Sequence, residues 1–201
     1  MYSIRIFNDS PLDGQNAIVF QQPLATAPVS VLAWHSRMCH PDTRVRFEWT
    51  VRHCFVWGHA GELRPGVDYD AGQEVPADLD SRNEITLDYP DGGFVFTDQA
   101  DGLHEALTVR ESAAVPGNGN PRRGCVGIGM DGAGTAVLPT TPHDWVQFTP
   151  TPAYWVAFGR FGPGTVLPPD GLVVPQEIDF PVTTGTADCV FDGDKWTVHY
   201  W

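Results

Sequence analysis

Residues 44–52 read RVRFEWTVR. Val45, Phe47, Trp49 and Val51 alternate without a break against Arg44, Arg46, Glu48, Thr50 and Arg52. A period of two held over this length cannot lay an apolar stripe along a helix. It describes a strand with one buried and one wet face. Shorter runs of the same kind stand at 2–7, 17–21, 29–34, 55–57, 84–89, 94–97 and 108–111. They recur at 145–148, 154–158, 178–182, 188–191 and 195–201. Turn residues separate them, most clearly Pro90-Asp91-Gly92-Gly93 and Asp192-Gly193. The acidic segment 62–82 and the run PGNGNPRRG at 116–124 read as loops. No window of ten residues carries a helical period, and residues 100–107 hold at most one turn. With 21 glycines and 18 prolines between them, these short strands predict an all-β chain. The architecture expected is a single-domain antiparallel β-sandwich, jelly-roll-like, over residues 1–201, with no linker and no internal repeat.

The stretch 125–138, CVGIGMDGAGTAVL, matches the letters G-x-G-x-x-G at Gly127, Gly129 and Gly132, with Gly134 just beyond. A dinucleotide fingerprint needs a helix directly after it, whose N-terminus holds the pyrophosphate. Pro139 and Pro142 stop such a helix, and no acidic residue stands about 20 positions on. The four glycines therefore read as structural: a strand or bulge where another backbone or a large ring packs close. No cofactor is expected.

A formal charge of −13 opposes phosphate backbones and anionic membrane surfaces, so nucleic acid is not an expected partner. No apolar run approaches the ~20 residues that span a bilayer. The N-terminus MYSIRIFNDSPLDG lacks the basic and apolar regions of a signal peptide. The expectation is a cytoplasmic start, with non-classical export left open, and reduced thiols.

Cys39-His40 and His53-Cys54 supply two thiols and two imidazoles, the donor set of a tetrahedral zinc site. Adjacent strand residues point to opposite faces, which works against all four reaching one ion. Buried thiols or a Cys39–Cys54 disulfide weigh more. Asp68, Asp70, Glu74, Asp78 and Asp80 could offer oxygens to a hard cation but lack the EF-hand spacing, and a solvated loop is the expectation. No nucleophile elbow and no H-E-x-x-H is present. Seven tryptophans are many for this length; most are expected in the core, with Trp201 the best surface candidate.

The segments GIGMDGAGT at 127–135 and FTPTPAYWVAFG at 148–159 resemble the RhiA family of small bacterial proteins. RVRFEWTV at 44–51 and FVWG at 55–58 fit the same resemblance, which runs from about Val29 onward. It implies a bacterial, single-domain β-protein without a cofactor and transfers no functional residue. The leading expectation is a non-enzymatic protein acting by self-assembly, as a homo-oligomer, or by binding a surface partner. A glycan- or small-ligand-binding sandwich is the alternative, and an enzyme with an unrecognised site the third.

Overall fold

The computed structural model describes residues 1–151 and 153–201. The first strands are β1 (Tyr2–Asn8), β2 (Asn16–Phe20), β3 (Leu24–Ala25), β4 (Ser30–Val31), β5 (His35–Met38) and β6 (Arg44–Trp49). Next come β7 (His53–Gly58), β8 (Ala71–Pro76), β9 (Glu84–Asp88), β10 (Val95–Ala100), β11 (Leu107–Glu111) and β12 (Cys125–Met130). The chain closes with β13 (Ala133–Pro139), β14 (Trp145–Thr149), β15 (Tyr154–Gly159), β16 (Val173–Ile178), β17 (Thr186–Phe191) and β18 (Trp196–Tyr200).

The strands form four sheets, ordered β18-β17-β1-β6, β16-β15-β2-β5, β10-β9-β11-β14-β3 and β4-β13-β12-β7-β8. The protein is all-β and mostly antiparallel, with sandwich-like layers and no barrel. Two pairings are parallel, β1 with β17 and β9 with β11. The first two sheets close over one core, to which Ile4, Val45, Phe47, Val156, Phe158 and Phe191 contribute. The other two close over a second core around Phe55, Ile85, Leu87, Val109, Ile128 and Phe148. Fully burying a Phe or Ile side chain in either core stabilises the fold by about 1.5–3 kcal/mol.

The alternation of residues 44–52 is realised in β6, where Val45, Phe47 and Trp49 are buried and Arg44, Arg46 and Glu48 are exposed. The strand stops at Trp49, so Val51 is an exposed linker residue and not a fourth core position. The reason is Asp131. Its carboxylate accepts from the Thr50 hydroxyl (2.8 Å) and from Arg52 Nε (3.1 Å), pinning residues 50–52 as they cross from the first sandwich into the second.

Two other expectations shift. The segment 62–82 contains the strand β8, although its alternating residues are only half-buried. The strand expected at 178–182 lies earlier, at β16. Residues 100–107 hold the single turn that the sequence allowed, with Ala106 N–H donating to Leu103 O at 3.3 Å between β10 and β11.

The glycine stretch is a hairpin of two strands rather than one. Asp131 and Gly132 turn it, with φ of 51° and 81°, the left-handed pair that a tight two-residue turn requires. A Cβ on Gly127 would lie 2.0 Å from Ala136 O, and one on Gly129 would lie 2.3 Å from Ala133 O. A side chain at Gly134 would meet the Tyr69 ring at 2.9 Å. Every residue of β12 is buried. Val126 and Ile128 face the second core, while Cys125 on the other face packs with Leu32, Tyr69 and Val166.

Candidate functional site

The outermost sheet of the first sandwich, β18-β17-β1-β6, turns one face to the core and the other outward. Strand periodicity fixes which side chains point out: Ser3, Arg5 and Phe7 from β1, and Thr186, Asp188 and Val190 from β17, between the buried Ile4, Ile6, Ala187 and Cys189. In register, Arg5 stands opposite Asp188 on one side and Arg46 on the other. Arg5 makes a two-pronged ion pair with Asp188, Nη2 to Oδ2 at 2.7 Å and Nε to Oδ1. Trp201, 69% exposed, follows β18 and donates its indole N–H to the same Asp188 Oδ2 at 3.0 Å. One carboxylate thus orients a guanidinium and an indole. A surface depression of about 330 Å³ lies alongside, lined by Arg5, Phe7, Asp42, Arg44, Asp188 and Val190.

The outer sheet of the second sandwich carries a comparable group. Arg110 grips Glu84 with both prongs, Nε to Oε1 at 2.6 Å and Nη2 to Oε2 at 3.1 Å. Trp145, 50% exposed, stands opposite Arg110 in the β11–β14 register. Trp145 was missed in the sequence because a tryptophan at a strand start reads as core. Its position on the polar side of the alternation, out of phase with Val146 and Phe148, is the signal that finds it.

The four candidate metal ligands do not converge. Cys39 belongs to the first core, with its Sγ 3.6 Å from Thr43 O, while Cys54 belongs to a separate cluster against the second sandwich. His40 is exposed, and its Nδ1 pairs with Asp13 Oδ1 at 2.8 Å. His53 is half-buried, and burial pushes its pKa down. The strand β6 and the crossing at 50–52 separate the two pairs. Among the described residues no group of three His, Cys, Asp or Glu side chains is placed to hold a metal. All four cysteines are free and buried. Burial pushes the thiols of Cys54, Cys125 and Cys189 up to about 12, so they stay protonated at neutral pH and are poor nucleophiles.

The structure instead brings Cys54 and His53 to a depression of about 310 Å³ beside Glu74, Asp131 and Arg52. Burial raises the Glu74 pKa, whereas hydrogen bonding to Arg52 lowers that of Asp131. The acidic-loop residues disperse: Asp68 accepts from the Thr165 hydroxyl at 2.7 Å, Asp80 pairs with His104 at 2.7 Å, and Glu74 lies in β8.

Two titratable groups, the half-buried His35 and the buried Glu111, left no mark in the sequence. His35 lies against Trp34, at 4.1 Å between ring centroids, and Phe47, at 5.6 Å. Its Nε2 is buried without a hydrogen-bond partner among the described residues, and burial pushes its pKa down to about 4. Glu111, 6% exposed, accepts the Thr141 N–H at 2.8 Å, and burial pushes its carboxyl up to about 7. Among the described residues no helix is long and apolar enough to cross a membrane.

Comparison with known proteins gives a single direction. The family model described as RhiA matches residues 1–200. The chain is 32% identical over 186 residues to Protein RhiA of Rhizobium leguminosarum bv. viciae, covering 90% of this chain and 78% of that protein. No solved structure matches.

Proposed function

This chain belongs to the RhiA family, and from that premise we propose that it acts by binding a surface partner rather than by catalysis, through the outer faces of its sandwiches. The observation that carries the reading is the exposed Trp201 indole, held by Asp188 beside the Arg5–Asp188 pair. Such a face suits a hydroxyl-rich ligand, a glycan in the first instance. The indole offers a flat apolar surface, and the ion pair offers adjacent donors and acceptors to neighbouring hydroxyls. Because the guanidinium is already neutralised by the carboxylate, a neutral ligand is favoured over a polyanion. The buried, protonated thiols support binding over nucleophilic chemistry. The test is a glycan array with the intact protein, followed by tryptophan-fluorescence titration of Trp201→Ala. Binding that weakens at least tenfold in the variant supports the reading, and silence across neutral and charged glycans sinks it.

Self-assembly is the second reading, and the edge strand β18 favours it. Edge β8 ends in Pro76, β10 is irregular between Thr97 and Ala100, and β16 contains Pro175. Strand β18 has neither proline nor bulge, which leaves its edge open to strand addition. Light scattering across concentrations decides it: a strict monomer throughout excludes this mode.

A further inference from the structure

The two sandwiches share one strand plan. The outer sheets β18-β17-β1-β6 and β10-β9-β11-β14 have the same sequence of pairings: antiparallel, parallel, antiparallel. The inner sheets β16-β15-β2-β5 and β8-β7-β12-β13 are antiparallel throughout. Reading β7 to β10 for β15 to β18, and β11 to β14 for β1, β2, β5 and β6, turns one sandwich into the other.

The register agrees. In the first sandwich Val45 faces Ile6 and Phe47 faces Ile4; in the second Val146 faces Val109 and Phe148 faces Leu107. Both pairs are separated by 101 residues (146 − 45 and 148 − 47), as are Gly58 and Gly159. The loops follow suit. Asn8 N–H donates to Thr43 O at 3.0 Å, and Glu111 N–H donates to Asp144 O at 2.9 Å. Asn8 and Glu111 occupy the same place, and both are buried polar residues.

We infer that residues 1–100 and 107–200 are two copies of one eight-strand unit, interlocked by strand exchange. The first block of each copy (β1, β2, β5 and β6, or β11 to β14) completes a sandwich with the second block of the other copy (β15 to β18, or β7 to β10). The chain is thus a fused, strand-exchanged pair, and the partner that either half recognises is a second chain of the same unit. Neither half leaves the exchange easily. Residues 50–52 carry the chain from one sandwich to the other in three residues, and β14 in one sandwich is followed by β15 in the other at the equivalent place. The loop at 101–106 corresponds to the gap between β18 and β1, where the termini meet: Gly185 donates to Trp201 O at 3.2 Å and accepts from Ser3 N–H at 2.8 Å.

Two measurements on the whole protein test this. In the first, a protease site placed at 101–106 is cut after folding. The halves are expected to co-elute at the mass of the intact chain, with a melting temperature that now rises with protein concentration. Halves that part under native conditions into separately folded species overturn the inference. In the second, Trp201 is joined to Met1 by a short flexible linker and the chain is opened at 101–106. A native, monomeric permutant that melts within a few degrees of the parent supports the equivalence of the two joints. A permutant that fails to fold, while one opened at the exposed 118–121 loop folds, overturns it.

Discussion

Glu111→Gln is the most informative single change. The carboxyl is buried at the end of β11, accepts only the Thr141 N–H among the described residues, and feels Asp144 and Arg123 in opposite directions. Burial dominates and lifts its pKa from an ordinary 4.5 to about 7. The native state therefore holds a proton that the unfolded chain has already lost. Stability on this account falls as pH rises from 4.5 to about 7. At about 1.4 kcal/mol for each unit between those values, ionisation of the buried group costs about 3 kcal/mol at neutral pH. The amide cannot ionise and keeps the acceptor for Thr141. Urea unfolding of both proteins between pH 4 and 8 should show little difference at the acid end, and a gap growing to about 3 kcal/mol in favour of the variant by pH 8. A difference that does not change with pH refutes the reasoning. His35 works with the opposite sign: its neutral ring is the native form, and stability present above 6.5 is lost as pH falls towards about 4. In the parent these two contributions oppose each other between pH 4.5 and 6.5, so His35→Phe should make stability fall more steeply with pH over that range.

The remaining predictions concern the hairpin, the crossing and the thiols. Gly129→Val places a side chain into Ala133 O and Cys54 Sγ, and circular-dichroism melting should show loss of the native fold or of at least about 3 kcal/mol, with no nucleotide affinity to lose. Asp131→Asn weakens the anchor of residues 50–52 and should cost about 1–2 kcal/mol at pH 7 in urea unfolding. Because Arg52 holds that carboxyl below its ordinary 3.8, the parent should lose the same contribution as pH falls through the folded value. A thiol-reactive dye at pH 7.5 should label no cysteine rapidly in the native protein and all four in denaturant; fast labelling of Cys54 would contradict its burial.

The class of the fold was legible because strand periodicity is local. Residues 44–49 state which side chains face the core and need no partner to do so. The glycine stretch was legible in part: Pro139 and Pro142 exclude the phosphate-binding helix. The Asp131-Gly132 pair is the hairpin signal within it that the strand reading passed over. The repeat was hidden because the two halves share the plan of a backbone and few side chains. Val45 with Val146, Phe47 with Phe148 and Gly58 with Gly159 match at one spacing, but the segments between β2 and β5 and between β12 and β13 differ in length and break it elsewhere.

By itself the sequence determined that this chain is built of short strands, which faces of them are apolar, and where glycine and proline forbid a helix. Only the tertiary structure decided which strands pair. Alternation encodes a face and not a neighbour, so nothing local directs β1 to β17 across the chain or sends β6 and β7 into different sandwiches. The same long-range pairing buried Glu111, half-buried His35 and left Trp145 and Trp201 in solvent. Burial is a property of what packs against a residue, and here the packing comes from segments far away in the chain.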